Sequence, residues 1–251
     1  MSGDLPPFFR LVASDTLVST NDEARRLARA GASEGTLITA RSQTAGRGRQ
    51  GRIWVSQTGN LHASLVLRPD APMARAAQLG FAAALAVADA IQAFAPKEAV
   101  ALKWPNDVLL DRRKVAGILL ESEGDATGRV AFVVAGIGVN LAAHPAATEF
   151  PATSLKAATG ATPTPEALLA ALAPALLLWY ERWRDAGFAA LRRAWLERAT
   201  GIGQALRARL PGETVEGHFA GLDDDGMLLL DLPGGRRRIA AGEVFPMMVE
   251  G

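Results

Sequence analysis

Twelve residues, Arg41-Ser-Gln-Thr-Ala-Gly-Arg-Gly-Arg-Gln-Gly-Arg52, restrict the fold of this chain more than any other segment. Within them Gly46-x-Gly48-x-x-Gly51 satisfies the dinucleotide-binding fingerprint, a motif that must lead directly into a helix. The residues that follow, Arg52-Ile-Trp-Val55, are strand-like, so the fingerprint fails in its context. A kinase glycine loop does lie between strands, but HRD and DFG occur nowhere in the chain. What remains is a loop of three glycines and four arginines, Arg41, Arg47, Arg49 and Arg52. Its backbone can approach a ligand closely, and its guanidinium groups can bind carboxylate or phosphate oxygens in bidentate fashion. Four positive charges in one loop repel one another unless an anion sits among them. A solvated surface loop and an Arg-Gly nucleic-acid contact are the competing readings.

Net charge separates those readings. Lys+Arg 27 against Asp+Glu 26 leaves a formal charge of +1, without the basic excess of a chain that coats nucleic acid. A small anionic ligand fits better. Cysteine is absent, which excludes disulfides, Cys-based zinc sites and a thiol nucleophile. His62, His144 and His218 are scattered, so a purpose-built transition-metal centre is not expected. The N-terminus has no signal-peptide pattern. The apolar runs Phe81–Ala95 and Ala167–Tyr180 fall short of the roughly 20 residues a membrane span needs and read as core helices. These features predict a soluble, cytoplasmic protein without a membrane partner.

The chain patterns as a mixed α/β unit followed by a small β unit. Ser19-Thr20-Asn21 opens a helix, with Glu23 placed after Thr20 as in a capping box and Gly31 at the far end. Strands are expected at Thr36–Arg41, Arg52–Val55 and Leu61–Arg68, the last with Leu61, Ala63, Leu65 and Leu67 on one face. A long Ala-rich helix spans 74–94. Strands follow at Val100–Trp104, Val108–Leu110, Lys114–Glu123 and Val130–Asn140, with a turn at Asp111-Arg-Arg113. Helix returns from Glu166 to about Arg198. Five short strands then end the chain: Ala205–Leu210, Thr214–Leu222, Met227–Leu232, Arg236–Ala240 and Val244–Val249. They suggest a small barrel, so the division expected is 1–200 and 201–251.

Four further segments could carry chemistry, and each has a plain structural alternative. Lys103-Trp-Pro-Asn-Asp107 offers a lysine for phosphate and an Asn106-Asp107 pair suited to Mg²⁺, or simply a turn whose side chains cap their own backbone. Lys114-Val-Ala-Gly117 opens a strand, where Lys114 is either a ligand group or an edge lysine. Gly117 removes a side chain where something comes close, and Gly136-Ile-Gly138-Val-Asn140 repeats the feature. Ser19-Thr20-Asn21 is either ligand-facing or only a helix cap.

Taken in order, STN, Q-x-x-G-R-G-R-x-G-R-x-W, K-W-P-N-D, K-x-A-G-I and G-x-G-x-N resemble the biotin protein ligases, also called biotin–[acetyl-CoA carboxylase] ligases. The resemblance runs from about Ser14 to Leu141, and a small C-terminal domain extends it. It implies an α+β fold: a mixed β-sheet catalytic domain with flanking helices, of the class II synthetase-like biotin/lipoate ligase type, plus an SH3-like barrel. It implies activation of biotin by ATP and Mg²⁺ to biotinyl-5′-adenylate, then transfer to one lysine of a biotin carboxyl carrier protein of acetyl-CoA carboxylase or a similar carboxylase.

By the same resemblance Ser19, Thr20, Asn21 and Gln43 line the biotin pocket, completed by Gly46, Arg47, Gly48, Arg49, Lys114 and Gly117. Biotin's ureido group presents two N–H donors and a carbonyl acceptor, which suits short polar side chains. Arg47, Gly48 and Arg49 resemble the loop that holds carboxylate and phosphate, and Lys114 the lysine at the reacting acyl-phosphate. Arg47 and Lys114 are the catalytic candidates. Trp54 is similar to the tryptophan that helps enclose the nucleotide, and Asn140 to the asparagine near adenine. Arg49, Arg52, Lys103, Asn106 and Asp107 complete the nucleotide set, with Asp107 the candidate metal ligand. Ser19 lies close to Met1, so a ligase-only form without a DNA-binding domain is expected, and family ligases pair through sheet edges, which suggests a homodimer. The absence of cysteine argues against the related octanoyl transferases, and the Gly-Gly-Gly-Ala loop of lipoate ligases is missing. A lipoate-type ligase is the alternative enzyme, and a binding protein using the Arg loop the alternative without catalysis.

Overall fold

Seven strands form one sheet in the computed structural model, which describes residues 5–247. They are β1 (Arg10–Leu17), β2 (Thr36–Gln43), β3 (Leu61–Leu67), β4 (Val100–Lys103), β5 (Asp107–Leu110), β6 (Arg113–Gly124) and β7 (Val130–Val139). Their order is β1-β2-β3-β7-β6-β5-β4, parallel between β1 and β2 and antiparallel at every other pairing. Asp111 (φ 48°) and Arg112 (φ 64°) make the two-residue turn between β5 and β6.

Helices cover the two faces unequally, and that inequality creates the site. On one face lie α2 (Leu79–Phe94), α4 (Pro165–Ala186) and α5 (Phe188–Leu196), which share the main core with the sheet. The apolar stretch Met73–Phe94 is largely buried there as the central core helix. On the other face α1 (Thr20–Arg29) packs Ala24 and Ala28 against Ile38, Val66 and Val134. It covers only part of β2, β3 and β7 and leaves the rest of that face to the site. A short helix, α3 (Leu155–Thr159), follows the loop beyond β7.

The remaining chain forms a second, antiparallel sheet of β8 (Ala205–Leu210), β9 (Glu213–Leu222), β10 (Leu228–Leu232), β11 (Gly235–Ile239) and β12 (Glu243–Pro246), ordered β11-β10-β9-β8-β12. The last expected strand is found to Pro246, and its residues 248–249 lie outside the described residues. Trp104 ties the two sheets together by donating its indole N–H to the Gly226 carbonyl at 3.2 Å.

Several local expectations need correction. The α1 cap is Ser19, whose hydroxyl accepts from the Asp22 amide; Glu23 pairs with Arg26 and forms no capping box with Thr20. Residues 52–55 form no strand: only Ile53 bridges, to Arg47, because Gln50 (φ 54°) and Gly51 (φ 75°) turn the chain within the loop. β3 is buried on both faces, so its alternation marks two environments instead of core and solvent. The helix expected over 74–94 starts as 3₁₀ over Met73–Gln78. The one expected from Glu166 to about Arg198 breaks at Gly187 (φ 72°). β1 and α3 carried no periodic signal and were not anticipated.

Candidate active site

Sheet register lays the floor of the site in rows across the strands. Asp107, Gly117, Gly138 and His62 are paired in turn across β5, β6, β7 and β3, and so share one face. One step along, Leu119, Gly136 and Ser64 form the next row, and Glu121, Val134 and Val66 the one beyond. Paired glycines at the centre leave room that side chains from other segments enter. A Cβ on Gly138 would stand 2.4 Å from the Trp54 ring, and one on Gly136 would stand 2.1 Å from Asn21 Oδ1. Gly117 is also close, with Trp54 Cζ3 at 3.1 Å and Lys114 Nζ at 3.3 Å from its Cβ position.

Above this floor is a cavity of about 430 Å³. It gathers Ser19, Thr20, Asn21, Gln43, Arg47, Gly48, Arg49, Arg52, Trp54, Lys103, Asn106, Asp107, Lys114, Gly117 and Asn140, residues up to 121 positions apart in sequence. Gly46 does not line it. Its Cβ position is 2.5 Å from the Trp54 carbonyl and 2.6 Å from Ser56 Oγ, so its role is to let the two arms of the loop approach.

One end of the cavity is neutral and hydrogen-bonded. Gln43 Oε1 accepts from the Thr20 amide at 2.8 Å and the Thr20 hydroxyl at 3.1 Å, while Gln43 Nε2 donates to Ser56 Oγ at 2.8 Å. Ser64 Oγ lies 2.8 Å from Thr20 Oγ1 and 2.6 Å from Asn21 Oδ1, and Asn21 Nδ2 donates to Glu121 at 2.9 Å. Ser19, Thr20 and Asn21 are therefore more than a cap: one hydroxyl caps α1, and the other two side chains are built into the cavity wall.

The opposite end is cationic. Asp107 sits between two lysines, with Lys114 Nζ 2.5 Å from Oδ1 and Lys103 Nζ 2.8 Å from Oδ2. Burial pushes the Asp107 carboxyl up, but the two ammonium groups overcome it and hold the carboxyl below its ordinary range. The trio carries a net positive charge facing the cavity. Lys103 also lies 4.8 Å from the Phe150 ring centre, and Lys114 5.8 Å from that of Trp54. Asn106 holds Arg49 at 3.3 Å through Oδ1 and donates to the Ile118 carbonyl at 2.7 Å. The Pro-Asn-Asp segment is a turn, yet its side chains bind across the site and not to their own backbone. Burial draws the Arg49 guanidinium below its ordinary value, against the pull of Asp107 and Glu243.

The Gly/Arg loop spans the cavity mouth. Arg47 reaches Asp22 at 2.6 Å and Glu121 at 2.9 Å, Arg49 also reaches the Gly242 carbonyl at 3.3 Å, and Arg52 pairs with Glu243. Arg41 points elsewhere, to Asp15 at 3.9 Å. Glu243 and Phe245 of β12 thus form part of the wall. They and Ser64 were missed in the sequence: Ser64 falls on the face of β3 that alternation assigns to solvent, and no local pattern links β12 to a loop nearly 200 residues earlier. Asp107 does not fit a metal ligand in this arrangement, because both of its oxygens are engaged by ammonium groups.

Comparison with known proteins identifies the family of this fold. Residues 5–197 match the biotin/lipoate A/B protein ligase family, and residues 201–246 match the biotin protein ligase C-terminal domain. The chain is 48% identical over 233 residues to the biotin–[acetyl-CoA-carboxylase] ligase of Paracoccus denitrificans, covering 90% of this chain and 96% of that one. The structure of the biotin protein ligase of Aquifex aeolicus in complex with biotin and ATP superposes with a TM-score of 0.80 at 28% identity, covering 94% of this chain and 97% of that one. That of Leishmania major in complex with biotinyl-5-AMP gives 0.66 at 25% identity, covering 94% and 100%. In fold and in sequence along both sheets, this chain belongs to the biotin/lipoate A/B protein ligase family, in its biotin protein ligase branch with the attached C-terminal domain.

Proposed function

We propose that this chain joins biotin to ATP, forming biotinyl-5′-adenylate and pyrophosphate, and passes the biotinyl group to a lysine of a biotin carboxyl carrier protein. One observation carries the reading: a neutral hydrogen-bonding pocket and a net-cationic Lys103-Asp107-Lys114 cluster face each other across a single cavity under one arginine loop.

In the first step the biotin carboxylate oxygen attacks the α-phosphorus. A C–O–P linkage forms, and the bond from that phosphorus to the β-phosphate bridging oxygen breaks. Two anions must be brought together, so fixed positive charge at the reacting oxygens is the main requirement. Lys114 and Arg47 are assigned that charge, with Arg47 exchanging Asp22 for the ligand carboxylate. Arg49, Arg52, Lys103 and Asn106 are assigned to the phosphates, Trp54 and Asn140 to the base, and Thr20, Asn21 and Gln43 to the ureido ring, with Ser64 holding Thr20 and Asn21 from behind. Asp107 holds the two lysines in place. Mg²⁺ enters this scheme with the nucleotide, where it would offset phosphate charge. In the second step the carrier's neutral lysine amine attacks the acyl carbon, AMP leaves, and the amine proton passes to solvent. The loop excludes water from the mixed anhydride between the steps.

The same proposal divides the chain into a catalytic unit, 1–200, and a C-terminal unit, 201–251, and places the activity in the cytoplasm, where ATP and the carrier meet. It includes a homodimer along the β1 edge, where Leu11 and Val12 are exposed. Sedimentation of the purified chain at micromolar concentration decides that point. The transfer step is tested by incubating the chain with biotin, ATP, Mg²⁺ and an isolated carrier domain. One biotinyl addition at a single lysine is expected, and an unmodified carrier despite adenylate formation would remove transfer from the proposal.

A further inference from the structure

Three buried side-chain polar atoms among the described residues have no hydrogen-bond partner: Trp54 Nε1, His62 Nδ1 and Asn140 Oδ1. A buried polar atom without a partner is costly and calls for an explanation. All three border Gly138. Trp54 Nε1 is 2.7 Å from the Gly138 Cβ position, His62 is the cross-strand partner of Gly138, and Asn140, two residues further along the chain, lines the same cavity as Gly138.

The orientation of the indole is defined by the glycines beneath it. Its Cζ3 edge lies over Gly117 on β6, and its Cε2, Cζ2 and Nε1 atoms lie over Gly138 on β7. Across the sheet the next strand is β3, which carries His62. The N–H therefore lies on the side of the ring nearer to His62. The histidine has the complementary chemistry. Its Nε2 is 3.4 Å from the Gln57 carbonyl, which only accepts, so Nε2 bears the hydrogen and Nδ1 is left as an acceptor. Its exposure is 1%, which leaves water little part in satisfying it.

We infer that His62 is a positioning residue for the nucleotide wall: when the loop closes on nucleotide, the Trp54 indole N–H donates to His62 Nδ1 and fixes the ring over Gly117 and Gly138. Nothing in the motifs that identify the site assigns His62 a role. The inference rests on the reading of this cavity as an ATP site, with Trp54 as the wall of the base pocket. Trp54 ends the Gly/Arg loop, where its amide donates to the Gly46 carbonyl at 2.9 Å. Seating the indole thus seats the end of the loop that must close over the adenylate.

The test compares His62→Leu, which removes the acceptor, with His62→Asn, whose Oδ1 stands near the Nδ1 position. The indole N–H proton resonance of Trp54, assigned with Trp54→Phe, is followed on adding a non-hydrolysable ATP analogue. A downfield shift is expected in the wild type and in His62→Asn, and none in His62→Leu. The KM for ATP should rise about tenfold in His62→Leu, the scale of one lost hydrogen bond, while biotin affinity without nucleotide holds within about twofold. A Trp54 shift that persists in His62→Leu overturns the inference, and its loss in an Asn140→Leu variant would assign the N–H to Asn140 instead. A fall in melting temperature with KM and the indole resonance unmoved leaves His62 a packing residue only, which also overturns it. Failure of the wild type to bind the analogue would refute the ATP reading itself, separately from any difference between the variants.

Discussion

Lys114→Ala separates chemistry from folding more cleanly than any other substitution in the site. Its ammonium is one of two that hold Asp107, at 2.5 Å, and its side chain is 28% exposed, against 9% for Lys103 and for Asp107. Truncating it removes one charge-assisted hydrogen bond but leaves Asp107 its bond to Lys103 at 2.8 Å. The expected destabilisation is about 1.5 to 3 kcal/mol, a fall of up to about 10 °C in melting temperature for a chain of this size. Against a typical stability of about 5 to 15 kcal/mol, the variant stays folded in the assay. The loss of fixed charge at the reacting acyl-phosphate is expected to lower adenylate formation by about 10²–10³. Unfolding cannot imitate that, since it would require about 99% of the molecules to be unfolded at the assay temperature. Pyrophosphate release with saturating biotin and ATP measures the rate, and a thermal melt measures the fold. A decrease of threefold or less would refute the role given to Lys114. So would a larger decrease that tracks the unfolded fraction.

Other outcomes follow from the same geometry. Gly138→Ala pushes a methyl group into the Trp54 ring, whose nearest atom is 2.4 Å from the Cβ position, and should weaken ATP binding more than tenfold while biotin binding holds within about threefold. Gly136→Ala meets Asn21 Oδ1 at 2.1 Å and should do the reverse, and calorimetry with each ligand distinguishes the two. Asp107 also sets an acid limit. Burial raises its pKa, yet Lys103 and Lys114 bring it below the ordinary value of 3.8, so its stabilisation is fully present above that value and is lost as pH falls through the lowered one. Between pH 7 and about 5 it should contribute no change, and below about pH 4 denaturant melts of the wild type should lose stability more steeply than those of Asp107→Asn. That variant should be less stable at pH 7 by about 3 to 5 kcal/mol, because two ammonium groups lose their shared carboxylate.

The residues that line the cavity were legible because their types are unusual for their surroundings. Arginines among glycines, glycines inside β6 and β7, and a lysine before an Asn-Asp pair all stand out from strand composition. What periodicity could not show was two-sided burial. Ser64 and His62 lie on the face of β3 that alternation gives to solvent, whereas the site itself covers that face. β1 escaped because an edge strand with mostly exposed residues, Arg10–Leu17, needs no apolar alternation. Arg52–Val55 has strand composition, but the turn at Gln50 and Gly51 keeps it out of the sheet, and the Trp54 ring lies on two glycines, a contact between segments more than 60 residues apart. The reach of Glu243 and Phe245 into the cavity is of the same kind: it follows from how the second sheet docks through Trp104 and Gly226, which no local window contains.

Acyl-adenylate formation from biotin is the activity given to this cavity. It is tested most directly by incubating the chain with ATP and Mg²⁺, together with biotin, lipoate or octanoate in parallel, measuring pyrophosphate and identifying the retained product by mass spectrometry. Release with biotin alone, with biotinyl-5′-adenylate retained on the protein, is the predicted result. Release with lipoate or octanoate in place of biotin, or with none of the three acids, would contradict it.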